Sequence, residues 1–323
     1  MPKLAARHVK VYYHINDFRG CEKAVVTTGT FDGVHLGHRR IISRLHDVAE
    51  GTGGETVLLT FDPHPRMVLF PERKQLLLNA LDEKIKRLGE SGIDHLIIHP
   101  FTREFSMLTS QEFIHDILVG KLGTHKLVIG YDHHFGRNRE GSFEHLSQFA
   151  PQYGFEVEEI PALEVEHVNV SSTRIREALS RCDVSEAANY LGYNYSVAGT
   201  VVKGDQIGRT IGYPTANIQV NDPYKLVPAD GIYAVTVHYR GQTLGGMLSI
   251  GVRPTIAEGL ARTIEVNIFN FDKEIYGEHL EVHFIRHLRP ELKFENLEAL
   301  KLQLAKDRED TIDVLAHEKI VYS

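Results

Sequence analysis

Only two cysteines, Cys21 and Cys182, occur in the 323 residues, far apart and without metal-ligand spacing. They read as free thiols in a reducing cytoplasm, not as covalent staples. No apolar run approaches membrane-spanning length; the longest are as short as Ala24–Val26 and Leu76–Leu78. The N-terminal stretch MPKLAARHVKVYYHIND has no apolar core of signal-peptide length. The net charge of −7 and the lack of a basic stripe argue against a broad nucleic-acid surface, while leaving room for a local basic pocket. No GxxxxGK[ST] loop is present, so the common phosphate loop is not this chain's device. Repeats and low-complexity segments are also missing.

What remains is ordinary globular composition, 42% hydrophobic and 24% charged, on a length that suits two domains. The 19 histidines are no metal argument by number alone.

The first half alternates strands with helices. AVVTT (Ala24–Thr28), TVLLTF (Thr56–Phe61), HLIIH (His95–His99), KLVIG (Lys126–Gly130) and EVEEI (Glu156–Ile160) read as short strands. Between them, Ile41, Ile42, Leu45, Val48 and Ala49 share a helical face. Asn79 is expected to cap a helix carrying Ile85 and Leu88. Thr109 with Glu112 forms a capping box ahead of Phe113, Ile114, Ile117 and Leu118. This alternation predicts a doubly wound, Rossmann-like α/β domain over residues 1–184.

After residue 184 the period changes. Asp183 with Glu186 opens a short helix that ends at Gly192. Tyr233, Val235, Val237 and Tyr239 then alternate, as do Ile264, Val266 and Ile268, and Leu280, Val282 and Phe284, with turns at Arg240–Gln242 and near Asp272–Lys273. A six-stranded antiparallel β-barrel is expected over residues 185–323, closed by a terminal helix from about Asn296 with Leu297, Leu300 and Leu304 on one face.

The sharpest local signal is GTFDGVHLGH, Gly29–His38, where the first strand gives way to a helix. Gly29 and Gly33 permit tight turns and close ligand approach. His35 and His38 share a face beside first-turn amides that favour an anion, a setting that suits a triphosphate. A bare His-x-x-His pair is more often solvated; the glycines and the strand-to-helix position shift the balance toward a site. SSTRIR, Ser171–Arg176, offers Ser171, Ser172 and Thr173 as caps or phosphate partners and Arg174 and Arg176 as cationic donors. Alone it reads as a plain capped helix; paired with the histidine motif it reads as phosphate-binding.

In the second half GRTIGYPTAN, Gly208–Asn217, brackets Arg209 between Gly208 and Gly212 and fixes one angle with Pro214. Thr215 and Asn217 present oxygens two residues apart, a pair suited to Mg²⁺ with nucleotide phosphates. Glu265 points away from Ile264 and Val266 and has the chemistry of a general base. A polar turn and a solvent-facing strand glutamate are the plainer readings of each taken singly.

GTFDGVHLGH and SSTRIR together resemble the nucleotidyltransferase superfamily with an HxGH signature. FDPHP (Phe61–Pro65) and VIGYDHHFG (Val128–Gly136) resemble its FAD synthetase branch. That resemblance implies attack of the FMN phosphate on the α-phosphorus of ATP. His35, His38 and Arg176 are the implied catalytic groups, and Gly29, Phe31, Asp32, Gly33, His64, Asp132, Ser171, Ser172 and Thr173 the implied nucleotide contacts. The family usually has an aromatic residue after the aspartate, where this chain has His133. GRTIGYPTAN, GIYAV (Gly231–Val235), SIGVRPT (Ser249–Thr255), IEVNIF (Ile264–Phe269) and Tyr276-Gly277 are similar to the riboflavin kinase module. Gly208, Arg209, Gly212, Pro214, Thr215 and Asn217 are implied to bind ATP, Thr215 and Asn217 to hold Mg²⁺, and Glu265 to act on the ribityl 5′-hydroxyl. In the family's order these motifs resemble bifunctional bacterial flavin-cofactor enzymes, with ATP, riboflavin, FMN and FAD as partners and neither nucleic acid nor membrane among them. One live domain with a flavin-binding companion, or a flavin-responsive regulator without turnover, are the rival readings. The intact His35, His38, Arg176, Thr215, Asn217 and Glu265 argue against both.

Overall fold

A computed structural model describes residues 9–131, 133–161, 170–204, 207–254, 260–320 and 322. They divide into two compact units, Met1–Ser172 and Thr173–Ser323. No helix among the described residues is long and apolar enough to cross a membrane.

The first unit is built on a parallel sheet of β1 (Lys10–Tyr12), β2 (Ala24–Thr28), β3 (Thr56–Phe61), β4 (His95–His99), β5 (Thr124–Gly130) and β6 (Glu156–Ile160), in the order β1-β4-β3-β2-β5-β6. Strands β2, β3 and β4 are buried along their full length, so they read as apolar runs and not as alternation. One face packs Val25, Val128 and Ile160 against Leu45, Val48 and Ala49 of α1 (Leu36–Thr52). The other packs Val26, Leu59 and Ile129 against Ile114, Leu118 and Leu146. Each such side chain contributes about 1.5–3 kcal/mol by leaving water. Helices on both faces make the sheet doubly wound, as expected. Strand order reverses beside β2, whose neighbours are β3 and β5. The crevice beyond the carboxyl ends of β2 and β5 is therefore the topological switch point where such sheets take ligands.

Two local expectations meet the structure differently. Thr109 and Glu112 form the reciprocal capping box, and the helix widens into a π turn over Phe113–Val119 that buries the four expected apolar residues. Asn79, in contrast, is not the cap of α2 (Leu81–Glu90). Its backbone N–H donates to the buried Asp32 carboxylate, so the helix starts one residue later, from Ala80, whose N–H donates to Glu83 Oε2 at 3.1 Å.

The second unit is a closed antiparallel barrel of β7 (Ser196–Val202), β8 (Ala216–Val220), β9 (Gly231–Tyr239), β10 (Gln242–Pro254), β11 (Leu260–Ile268) and β12 (His279–Arg289), in the order β10-β11-β8-β7-β12-β9. Helices α3 (Phe143–Tyr153) of the sheet unit, then α4 (Ser172–Ser180) and α5 (Val184–Leu191), precede it. Asp183 caps α5 by accepting from Glu186 N–H at 2.9 Å, and Gly192 ends it in the left-handed region. Alternation in β9 is masked, because helix α6 (Leu297–His317) covers the strand's outer side and nearly every residue is buried.

Helix α6 starts at the Asn296 cap as expected, and its buried stripe continues the expected leucine face: Leu304 packs with Met247, Phe269, Ile285 and Leu315. Leu297 is 49% exposed, and the helix buries Asp307, Thr311 and Leu315. A bidentate ion pair lies on the same stripe. Arg289 on β12 donates to both Asp307 carboxylate oxygens, at 2.8 and 2.6 Å, and Gln303 adds a third donor at 2.8 Å. The buried Asp307 carboxylate is thereby paired within an otherwise apolar face.

Candidate active sites

At the switch point, the chain leaves β2 through a loop in which three of four successive residues have positive φ. Phe31, Gly33 and Val34 have φ of 48°, 88° and 37°. Glycine adopts such values freely; a buried phenylalanine and a β-branched valine do so only when their surroundings hold them. Asp32 supplies part of that hold. Its carboxylate accepts from the backbone N–H groups of Leu78 and Asn79 at 2.9 and 3.3 Å, and its carbonyl accepts from Ser172 Oγ at 2.9 Å. Asp32 thus ties GTFDGVHLGH to the SSTRIR segment, 140 residues away in sequence. Gly29 ends the strand under the Phe31 ring, which would lie 3.1 Å from a Cβ there.

His35 is the N-cap of α1, with Nδ1 accepting from the His38 N–H at 3.4 Å, and the two imidazoles stack at 3.7 Å. Burial pushes the His38 pKa well below its ordinary value, with the neighbouring His35 and the Lys84 ammonium adding to the shift. His38 is therefore a neutral donor in the protein alone; an arriving phosphate favours the charged form and reverses that bias. Ser172 opens α4, and Arg176 follows one turn later on the same side of the helix. Ser171 and Thr173 flank Ser172 at the exposed surface. His64 caps the turn Pro65–Leu69 through Nδ1, accepting from Arg66 N–H at 3.1 Å. Asp132 lies outside the described residues, as does Thr255.

Lys84 is the residue that the sequence analysis missed. It is 9% exposed, its Nζ donates to the Phe61 carbonyl at 3.0 Å, and it lies in the field of Asp62 and Asp32. Burial lowers its pKa. Its signal was positional: Leu81, Lys84, Ile85 and Leu88 form one helical stripe, and a lysine in an apolar stripe calls for a buried partner.

In the barrel, Glu265 of β11 pairs in register with Asn217 of β8. Thr215 Oγ1 donates to Glu265 Oε2 at 3.2 Å. The structure therefore brings Thr215, Asn217 and Glu265 together. Asn267, on the same face of β11 as Glu265, donates to the Pro214 carbonyl at 2.7 Å and fixes the approach of the GRTIGYPTAN loop. Gly208 is required by a close crossing: a Cβ there would sit 2.3 Å from the Tyr213 carbonyl oxygen. Gly212 has φ of 87°, and Arg209 is exposed. A cavity of about 290 Å³ opens beside them, lined among others by Thr215, Ser249, Glu265 and Asn267, with the Arg289–Asp307 pair on its wall.

Comparison with known proteins matches each unit separately. The FAD synthetase family matches residues 19–174 and the riboflavin kinase family residues 191–315. The bifunctional riboflavin kinase/FMN adenylyltransferase of Listeria monocytogenes is 42% identical over 288 residues, covering 89% of this chain and 91% of its own. That of Escherichia coli K12 is 36% identical, covering 88% and 91%. A crystal structure from Streptococcus pneumoniae, described as a macrolide-efflux protein, superposes with a TM-score of 0.85 at 33% identity over 94% of this chain and 98% of that one. The two matched regions, in this order on one chain and with full-length relatives, place the protein in the bifunctional riboflavin kinase/FMN adenylyltransferase family.

Proposed function

We propose that the chain makes flavin cofactors in two ATP-dependent steps, adenylylation by residues 1–184 and phosphorylation by residues 185–323. The barrel phosphorylates riboflavin to FMN, releasing ADP; the parallel-sheet unit adenylylates FMN to FAD, releasing pyrophosphate. The observation that carries this reading is the presence of two separate groups of motif residues, His35, His38 and Ser172 at the switch point of the sheet and Thr215, Asn217 and Glu265 in the barrel. The catalytic boundary is placed between residues 184 and 185, within the interval left by the matched regions 19–174 and 191–315. The compact division at Ser172/Thr173 groups the linker helices with the barrel.

In the adenylyl step the FMN phosphate is already an anion, so it attacks the α-phosphorus of ATP without a base. His35, His38, Ser172 and Arg176 position the phosphates and spread the charge that builds in the transition state. In the kinase step Glu265 takes the proton of the ribityl 5′-hydroxyl as it attacks the γ-phosphorus, and ADP leaves. The donor set beside Glu265 fits Mg²⁺. Thr215 and Asn217 offer neutral oxygens, and Gly204 makes room for the Asn217 amide, whose Nδ2 would lie 2.3 Å from a Cβ there. Bound there, the ion supplies charge neutralisation for the ATP phosphates. The reactions are placed in the cytoplasm, where the unpaired Cys21 and Cys182 stay reduced.

Incubation with riboflavin, ATP and Mg²⁺ followed by flavin chromatography tests the whole reading. FMN and FAD are expected in succession; FMN alone would leave one live unit, and no product would leave a binding protein.

His133 gives a pH test. An unperturbed imidazole would titrate at about 6.5, just below neutrality. The structure moves that window. Burial, with His134 and Arg139 adding positive charge nearby, lowers the His133 pKa to about 4. The side chain is thus neutral throughout the neutral range. His133→Phe is expected to leave the adenylylation profile unchanged above about pH 5.5, with any divergence confined to the approach to pH 4. A shift near pH 6.5 in the variant would show that the imidazole titrates normally. Nucleic acid is a second control, because aminoacyl-tRNA synthetases share the HxGH signature. With a net charge of −7, mobility-shift titration with tRNA is expected to show no salt-sensitive micromolar complex.

A further inference from the structure

Away from the switch point, the amino-terminal ends of three adjacent strands hold a second group of chemically distinctive side chains. Cys21 precedes β2, Glu55 precedes β3 and His95 begins β4. One ligand atom from each, a sulfur, a carboxylate oxygen and an imidazole nitrogen, lies within 4.8 Å of the others. Ligands about one tetrahedral ion with bonds of 2.0–2.3 Å sit about 3.3–3.8 Å apart. The partly exposed Cys21 and Glu55 have room for that closure.

His95 is held as ligating histidines are held. It is 3% exposed, its ring is stacked by Tyr12 and met edge-on by Phe18, and its Nδ1 is 3.1 Å from the Tyr12 hydroxyl. Its Nε2 faces Glu55 Oε2 at 2.9 Å. A hydroxyl either donates or accepts, so Tyr12 serves both tautomers. When Nδ1 carries the proton and donates to Tyr12, the Nε2 lone pair is free for an ion. This partnering of the second ring nitrogen orients a ligand and raises its basicity.

We propose that Cys21, Glu55 and His95 bind one divalent transition-metal ion of the zinc class, with water as the fourth ligand. Binding forms S–metal, O–metal and N–metal bonds. The Cys21 thiol proton goes to solvent, the His95 proton passes from Nε2 to Nδ1, and no electron is transferred. The local field favours a cation. Burial first, then the Glu55 and Asp94 carboxylates, push the Cys21 thiol up to about 11, with Lys10 opposing them; a dication reverses that bias and stabilises the thiolate. The thiolate and imidazole discriminate against Mg²⁺, so the site is chemically separate from the one proposed for nucleotide. The inference does not rest on the flavin chemistry.

The test is titration of the reduced, chelator-treated full chain with Co²⁺ alone, followed in the near ultraviolet and visible. A thiolate-to-cobalt charge-transfer band saturating at one ion per chain is expected. Zn²⁺ should displace the cobalt, and excess Mg²⁺ should not. Cys21→Ser should abolish the band while Cys182→Ser keeps it. Tyr12→Phe should weaken binding roughly 10–100-fold. Calorimetry in buffers of different ionisation enthalpy should show about one proton released per ion at neutral pH. Absence of the band at millimolar Co²⁺ in the parent, or its survival in Cys21→Ser, overturns the proposal. Circular dichroism of the variants keeps a folding defect distinguishable from a lost ligand.

Discussion

In His38→Ala, the initial rate of FMN adenylylation is expected to fall by roughly 10²–10³, the effect of losing one donor aimed at developing phosphate charge. Riboflavin phosphorylation is expected to stay near the parental rate, so FMN accumulates where the parent makes FAD. The imidazole is well placed for this role. It stacks on His35, touches Phe31 and is held neutral by burial, so it donates a hydrogen bond from a fixed direction. Truncation also removes packing against the strained Phe31–Val34 loop, so a conservative partner is needed. His38→Asn keeps a short donor and should recover part of the rate if hydrogen bonding is the lost function. Each step is assayed from its own substrate. Loss of both steps in a folded His38→Ala protein would require a shared site in place of two independent ones.

Glu265→Gln is the complementary experiment. The substitution keeps size and an acceptor for the Thr215 hydroxyl at the position now 3.2 Å away, but removes the carboxylate that takes the proton. If proton transfer is under way in the transition state, riboflavin phosphorylation falls by roughly 10²–10⁴. A loose phosphoryl transfer asks less of a base, and a fall nearer tenfold would place Glu265 as an orienting acceptor. Either way, FMN supplied directly should still become FAD. A large loss of adenylylation in Glu265→Gln would contradict the assignment of this residue to the barrel reaction alone.

These expectations rest on residues whose legibility in the sequence differed for physical reasons. The parallel sheet showed itself because strands buried on both faces are apolar along their length, and the barrel because its strands β11 and β12 alternate. His35 and His38 stood out because local motifs are contiguous. Lys84 and the Asp32–Ser172 contact did not, because they join segments distant in sequence. The polar part of the α6 face escaped notice for a related reason. Leucine periodicity marked the stripe through Leu300 and Leu304, while Asp307 is buried on it by Arg289, which lies on another element. Asn79 was misread as a cap because its competitor for that backbone, Asp32, is 47 residues away.

The two units also differ in how they can meet other chains. A closed barrel has every strand paired on both sides, so it offers no template for intermolecular β-pairing. Among the described residues the open sheet has two edge strands. One is β1, only three residues long. The other is β6, whose sequence EVEEI places three carboxylates in five residues, two of them neutralised in part by Lys126 on the neighbouring strand. A strand too short to propagate a ladder and a strand whose like charges repel its own copy are both poor seeds. Resistance to edge-to-edge aggregation is thus obtained by closure in one half of the molecule, and by brevity and charge in the other.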